Sequence, residues 1–245
     1  MSEWWDSYRG LFRWNLLRLR ATLPTLIVIQ IVLAVGVVYG LSLLIPHIDP
    51  SSALYLATGA PTLGLIILGL NVVPQEVAQA RLTGRHDYVV SLPVPRLAPL
   101  VAEVTFWLVV QIPGTILALA AATLRFDIAL DVSWSVVPSI ALVALTGAAV
   151  GYALASALSP QLTNHVTQFM ALALLLFSPI NFPASRMPGF LQAVHQVLPV
   201  QYMADIVRGS LTGHYADPPA VAFAVVGGWC AAGLAVSYWA ATRRQ

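Results

Sequence analysis

The sequence has no lysine, a single cysteine, and charged side chains at only 9% of its 245 positions. Each shortage excludes something. Without lysine there is no GxxxxGK[ST] loop, so the chain has no P-loop of its own in which to hold ATP. With Cys230 alone, neither an intrachain disulfide nor a thiolate metal cluster can form. The scarcity of charge, set against 58% hydrophobic residues and a mean hydropathy of +0.80, is far from the roughly 25% charge of soluble domains and places the chain in a bilayer. Catalytic sets are missing too: there is no HExxH, no GxSxG and no pair of aspartates at helical spacing. The five histidines (His47, His86, His165, His195, His214) are scattered over loops and span ends. No bound cofactor, no metal and no nucleic-acid partner is expected. Glu3 and Asp6 precede the first arginines and no small-residue cleavage site follows a short apolar core, so no removable signal peptide is expected either.

What is present is a set of apolar runs, each of about the 20 residues a helix needs to cross a hydrocarbon core. They fall at 22–46, 53–73, 98–124, 134–158, 162–180 and 220–241, predicting one all-α membrane domain of six spans over residues 1–245. The fifth run is the weakest, because Asn164, His165 and Gln168 crowd its start. Before the first run, 3–20 reads as an amphipathic helix. Asp6, Arg9, Arg13 and Arg20 lie on one side and Trp4, Tyr8, Leu11, Phe12 and Leu19 on the other, which fits a helix lying in the headgroup region against anionic lipid. The twelve basic residues are all arginine, and the six-span layout puts nine on one side against Arg125, Arg186 and Arg208 on the other. By the positive-inside rule both termini and the loop after the second span are cytoplasmic.

That loop, Pro74 to Arg96, is the one long polar passage between apolar runs. Its first half, Glu76 to Thr83, predicts two helical turns on the membrane surface, closed at Gly84, a residue that takes the left-handed conformation readily. Asp87 is placed to cap a second short helix, which Pro93 and Pro95 end, and Val89, Val90 and Leu92 form an apolar patch in need of a partner. The outer segment 181–219 is too long for slack chain. Phe190, Val194, Val197 and Leu198 recur at helical spacing after Pro188, up to Pro199. A second set follows with Tyr202, Ile206 and Gly209 on one face, and Asp205 and Arg208 are spaced for an ion pair, weak if exposed. These helices are expected to dip into the outer leaflet or cap a pathway. Inside the spans, Gln30, Asn71 and Gln111 are candidates for a cavity lining, since an amide facing lipid is costly. Glycines 59, 64, 69, 147 and 151 read as close helix contacts. Glu103 is the one acid inside a span, read as a structural group that snorkels or pairs with an arginine.

Two strings carry a family likeness. One is Glu76, then Gly84, then Ser91-Leu92-Pro93-Val94; the other is Arg186-Met187-Pro188 through Leu191, Leu198-Pro199, Tyr202, Asp205 and Arg208-Gly209. With the interfacial helix and the span pattern, the chain resembles, over nearly its whole length, the type-2 permeases of ATP-binding cassette exporters. Where the family often has one charged residue after the glycine, this chain has Arg85-His86-Asp87. The resemblance implies a transport subunit and not an enzyme, moving a hydrophobic or amphiphilic substrate (drug, antibiotic, lipid or polysaccharide-like) out of a bacterial cell. ATP and magnesium would be bound by a separate nucleotide-binding subunit, and a second permease copy or sister permease would complete the pathway. It implies a coupling surface formed by Glu76, Arg81, Gly84, Val90, Leu92 and Pro93. It also implies an extracellular gate of Arg186, Pro188, Phe190, Pro199, Tyr202, Asp205 and Arg208. The residues themselves leave open an assembly or scaffold protein without transport, and an ion-coupled transporter built on Glu103.

Overall fold

Leucine, valine and alanine fill the long runs, and with no water in a bilayer core to satisfy backbone groups such runs close their hydrogen bonds within helices. The structure, a computed structural model, describes residues 2–44, 50–95, 98–128, 130–213 and 220–243. His47, Arg96, His214, Arg244 and the side chain of Val90 lie outside the described residues. Eleven α-helices are described: α1 Ser2–Leu19, α2 Leu23–Leu44, α3 Pro50–Ile67, α4 Val73–Leu82, α5 Arg85–Ser91, α6 Ala98–Phe126, α7 Val136–Ala157, α8 Pro160–Phe177, α9 Gly189–Val197, α10 Pro199–Thr212 and α11 Ala220–Arg243. Among the described residues no strand forms, and the only extended pairing is an isolated bridge between Asp131 and Thr212.

Among the described residues, five helical stretches are long and apolar enough to cross a membrane: Leu23–Gly40, Ser52–Leu82, Ala98–Phe126, Val136–Ala157 and Ala220–Trp239. α8, the expected fifth of six spans, is not among them. It starts cleanly, with the Ser159 hydroxyl accepting from the Leu162 amide and Pro160 in the first turn. Its first half, however, carries the Asn164, His165 and Gln168 that the sequence flagged, and they dilute its apolar character.

The largest departure from expectation lies at Pro74. A span ending near 73 and a separate surface helix were expected there. Instead a π turn at Leu68–Val72 joins α3 to α4 without a break. In the π turn the ladder shifts to five-residue bonds, as in the Val73 amide donating to the Leu68 carbonyl. The wider turn gives the Pro74 ring room, so the residue that normally breaks a helix is tolerated. One rod therefore runs from Pro50 to Leu82. Its middle is pressed against α7: a Cβ on Gly69 would meet the Gly147 backbone at 2.5 Å, and one on Gly151 would meet the Gly69 carbonyl oxygen. No side chain fits between these backbones, so here the small-residue reading accounts for the glycines.

Around the rod, α2 packs along α6, α7 along α11, and α10 against α3, α7 and α11. α10 is sunk in the main core, where Met203, Ile206 and Val207 meet Ile66, Leu70 and Val226. A second core joins Leu68 and Val73 of the rod to Val104, Phe106 and Trp107 of α6. α1 lies against the start of α6: Leu11 packs with Ala98 and Ala102, and Phe12 meets Phe106 edge-on at 6.1 Å. Its Trp4, Trp5, Leu16 and Leu17 remain exposed.

Candidate functional site

At one end of the bundle the rod reaches an elbow. α4 stops at Leu82, Gly84 adopts φ +71°, and α5 starts at once with Arg85. The expected left-handed glycine is there, but the restart comes two residues before Asp87, which sits in the first turn of α5 and caps nothing. Glu76 organises the elbow. Its Oε2 accepts from Arg18 of α1 at 2.9 Å and from Arg85 of α5 at 3.1 Å. Arg85 also donates to the Glu76 carbonyl. One carboxylate thus ties three helices together, each side chain about one-fifth exposed.

The other elbow residues divide. Arg81 points back into the bundle, where its Nη1 donates to the carbonyls of Ala155 (2.7 Å) and Leu158 (2.9 Å). A cation on the open carbonyls of a helix end suits the dipole of α7. Val89 packs against α1 and the start of α6, and the Tyr88 ring lies 5.5 Å from that of Trp14. Leu92 is half-buried where the chain becomes extended, Pro93 is exposed, and Leu82 presents an exposed apolar side chain beside Gly84.

At the opposite end the centre is Arg208 of α10. Its Nη1 donates to Asp205 at 2.9 Å, Nη2 to the Ile180 carbonyl at 2.9 Å and Nε to the Thr58 hydroxyl at 3.2 Å, while the guanidinium lies 3.9 Å from the centre of the Tyr55 ring. Only 8% of Arg208 is exposed, whereas the Asp205 side chain is 34% exposed, so the clamp is a buried cation gripped by a partly exposed carboxylate and by interior acceptors. Burial pushes the Asp205 carboxyl above its ordinary range against the pull of Arg208. Burial likewise lowers Arg208, against the support of Asp205 and Tyr55. Gly59 completes the clamp, because a Cβ there would strike Ile180 and Asn181.

α9 lies beside it with its polarity reversed. Its outer face is apolar, with Phe190, Val194 and Val197 exposed. Two of its polar groups are held by the bundle, Gln192 donating to the Met187 carbonyl and the buried His195 bonding the Phe177 carbonyl at 2.9 Å, while Gln196 is exposed. Arg186 donates to Ser52 at 3.1 Å, Pro188 is exposed at the start of α9, Pro199 is buried in the first turn of α10, and Tyr202 donates to the Gln196 carbonyl.

Residues 41–243 match the sequence profile described as ABC-2 family transporter protein. The chain belongs to the ABC-2 transporter family. No curated protein matches it in sequence. An ABC-2 chain is a membrane transport subunit, generally not catalytic itself, and membership implies a partner ATPase. The matched stretch contains the elbow and the Arg208 clamp; α1, which supplies Arg18, lies outside it.

In this ABC-2 permease the Asn71 and Gln111 amides are drawn into helix contacts, while Gln30 is half-buried. Asn71, in the π turn, donates to the Thr167 carbonyl of α8 at 2.7 Å and accepts from Gln75 at 2.9 Å. Gln111 lies under Gly64 of α3, and the Gln30 backbone lies against Gly114 of α6. Arg18, Tyr55, Thr58 and Ile180 escaped the sequence reading. None lies near its partner in the chain: Arg18 meets Glu76 58 positions away and Arg208 meets Thr58 150 positions away.

Proposed function

We infer that this permease works as the membrane half of an exporter, driven by a separate ATPase that docks at the Gly84 elbow. The observation that carries the reading is the rod itself. A continuous helix from the core to the elbow, locked to α1 and α5 through Glu76, transmits a push as a rigid movement where a loose loop would absorb it. The arginine distribution puts both termini and the elbow in the cytoplasm. α8 then serves as the fifth of six spans, and α9 and α10 lie at the outer leaflet, where the apolar face of α9 meets lipid. The permease acts in pairs, as two copies or with a sister subunit, because six helices enclose little space and a ligand cavity of roughly 300–1,000 Å³ draws its lining from several helices. ATP and magnesium belong to the ATPase; the cargo is hydrophobic or amphiphilic and leaves the cell. The setting is the plasma membrane of a bacterium.

The docking surface is Leu82, Leu92 and Pro93 with the elbow backbone, since Arg81 and Val89 face inward. Co-purification with the cognate ATPase, followed by substrate-stimulated ATP hydrolysis in proteoliposomes, tests this. Leu82→Asp with Leu92→Asp releases the ATPase if the elbow is the dock. Retention of the ATPase by that variant refutes the dock, and transport persisting without any ATPase refutes the exporter reading in favour of ion coupling. An assembly protein is indicated if the ATPase binds but no amphiphile stimulates it.

A further inference from the structure

α6 carries Glu103, Trp107 and Gln111 at four-residue spacing. Each has a polar atom sealed from solvent without a hydrogen-bond partner among the described residues: Oε1 of Glu103, Nε1 of Trp107 and Oε1 of Gln111. That spacing puts them on one stripe of the helix, about 6 Å apart along its axis. The stripe runs from the half-buried Glu103 into the bundle interior, with Trp107 4% and Gln111 2% exposed. Gly64 of α3 lies directly over the Gln111 amide. Near the Glu103 end, Arg18 adds Nε and Nη2 in the same condition, and Glu76, Arg85 and Arg18 are the charged groups whose fields reach Glu103. Beyond this row, the buried unpartnered side-chain atoms among the described residues are confined to Asn181 and His195.

Native proteins satisfy almost every buried polar group, with protein or with ordered water. The row reads donor, acceptor, donor, acceptor from Arg18 to Gln111. A single water, whose two hydrogen bonds of about 2.8 Å open at roughly the tetrahedral angle, bridges groups about 4.5 Å apart, so side chains about 6 Å apart along the axis are joined where their polar ends lean together or through two waters in series. We propose that this stripe is a water-binding seam, a file of bound waters that runs from the Arg18–Glu76 end to Gln111 in the middle of α6. Waters in it donate to Glu103 and Gln111 and accept from Arg18 and Trp107. Hydrogen bonds to water re-form as helices shift, whereas interdigitated apolar side chains must unlock. The seam does not depend on which side of the membrane the elbow faces.

The test uses the full chain in lipid nanodiscs with Cys230→Ser as background. Methyl methanethiosulfonate reacts with thiolates, which form only where water reaches the sulfur, so Gln111→Cys should be modified roughly tenfold faster than Val110→Cys, a buried neighbour off the stripe. A second readout covers failure of Gln111→Cys to fold: the indole proton of Trp107, assigned by its loss in Trp107→Phe, exchanges with deuterium within minutes in the otherwise unchanged protein. A Gln111→Cys thiol as slow as the Val110→Cys thiol, or an indole proton protected for hours like a core backbone amide, overturns the seam.

Discussion

Replacing Glu76 by Gln keeps the shape of the elbow and removes the charge that holds it. The carboxylate accepts two charge-assisted bonds, from Arg18 and Arg85. When fully buried each such bond contributes about 1.5–3 kcal/mol. Here the side chains are 20–23% exposed, and solvent screening brings each down to about 1 kcal/mol. The expected loss is therefore about 2 kcal/mol, a fall of roughly 4–8 °C in Tm for a chain of this size. Intrinsic tryptophan fluorescence during a thermal ramp reads it, and a cycle with Arg18→Gln isolates one arm. The double variant Arg18→Gln/Glu76→Gln should lose less than the sum of the single losses, because the second change removes a charge already stranded by the first. A Tm shift under 1 °C, or strict additivity, would refute the triad as a structural lock. The functional arm is separate: ATPase co-purification should survive in Glu76→Gln while substrate moved per ATP falls. If the lock weakens but coupling does not change, the rod is structural only and the lever assignment fails.

The remaining predictions concern the elbow glycine, the buried clamp and the topology. A Cβ at Gly84 meets nothing within 4 Å, so Gly84→Val acts through the left-handed backbone alone and costs about 1–2 kcal/mol; Gly84→Asn, which tolerates that conformation, should transport near the wild-type level. Equal loss in both, measured in proteoliposomes at matched insertion, would show that side-chain volume and not φ is limiting. Arg208→Ala leaves the partly exposed Asp205 to solvent and the Ile180 carbonyl and Thr58 short of a donor, for a loss of about 2 kcal/mol. Arg208→Lys should recover only part of it, since one ammonium cannot satisfy three separated acceptors; full recovery of Tm by lysine would refute the forked clamp. In a Cys230→Ser background, Trp134→Cys, at a position 86% exposed, should label from outside with an impermeant reagent in intact cells, whereas Thr83→Cys, exposed at the elbow, should not. The reverse pattern inverts the orientation.

Much of this protein was legible in its sequence, because the bilayer imposes rules that act locally. An apolar run with no water around it becomes a helix wherever it falls, so α2, α3, α6, α7 and α11 follow from hydropathy alone. Gly84 marked the elbow, and the spacing after Pro188 marked α9 and α10, for the same local reason. Tertiary structure decided what these elements do to one another. The π turn at Leu68–Val72 turned an expected helix stop at Pro74 into a continuous rod, and the close approach of Gly69 to Gly147 shows how tightly that rod is held. Arg81, which the family resemblance implied for the coupling surface, was drawn inward by the open carbonyls of α7, and Arg208 became the buried centre of a clamp because Tyr55, Thr58 and Ile180 close around it. Such partners lie tens of residues apart, and neither periodicity nor hydropathy records which charge meets which carbonyl when helices pack.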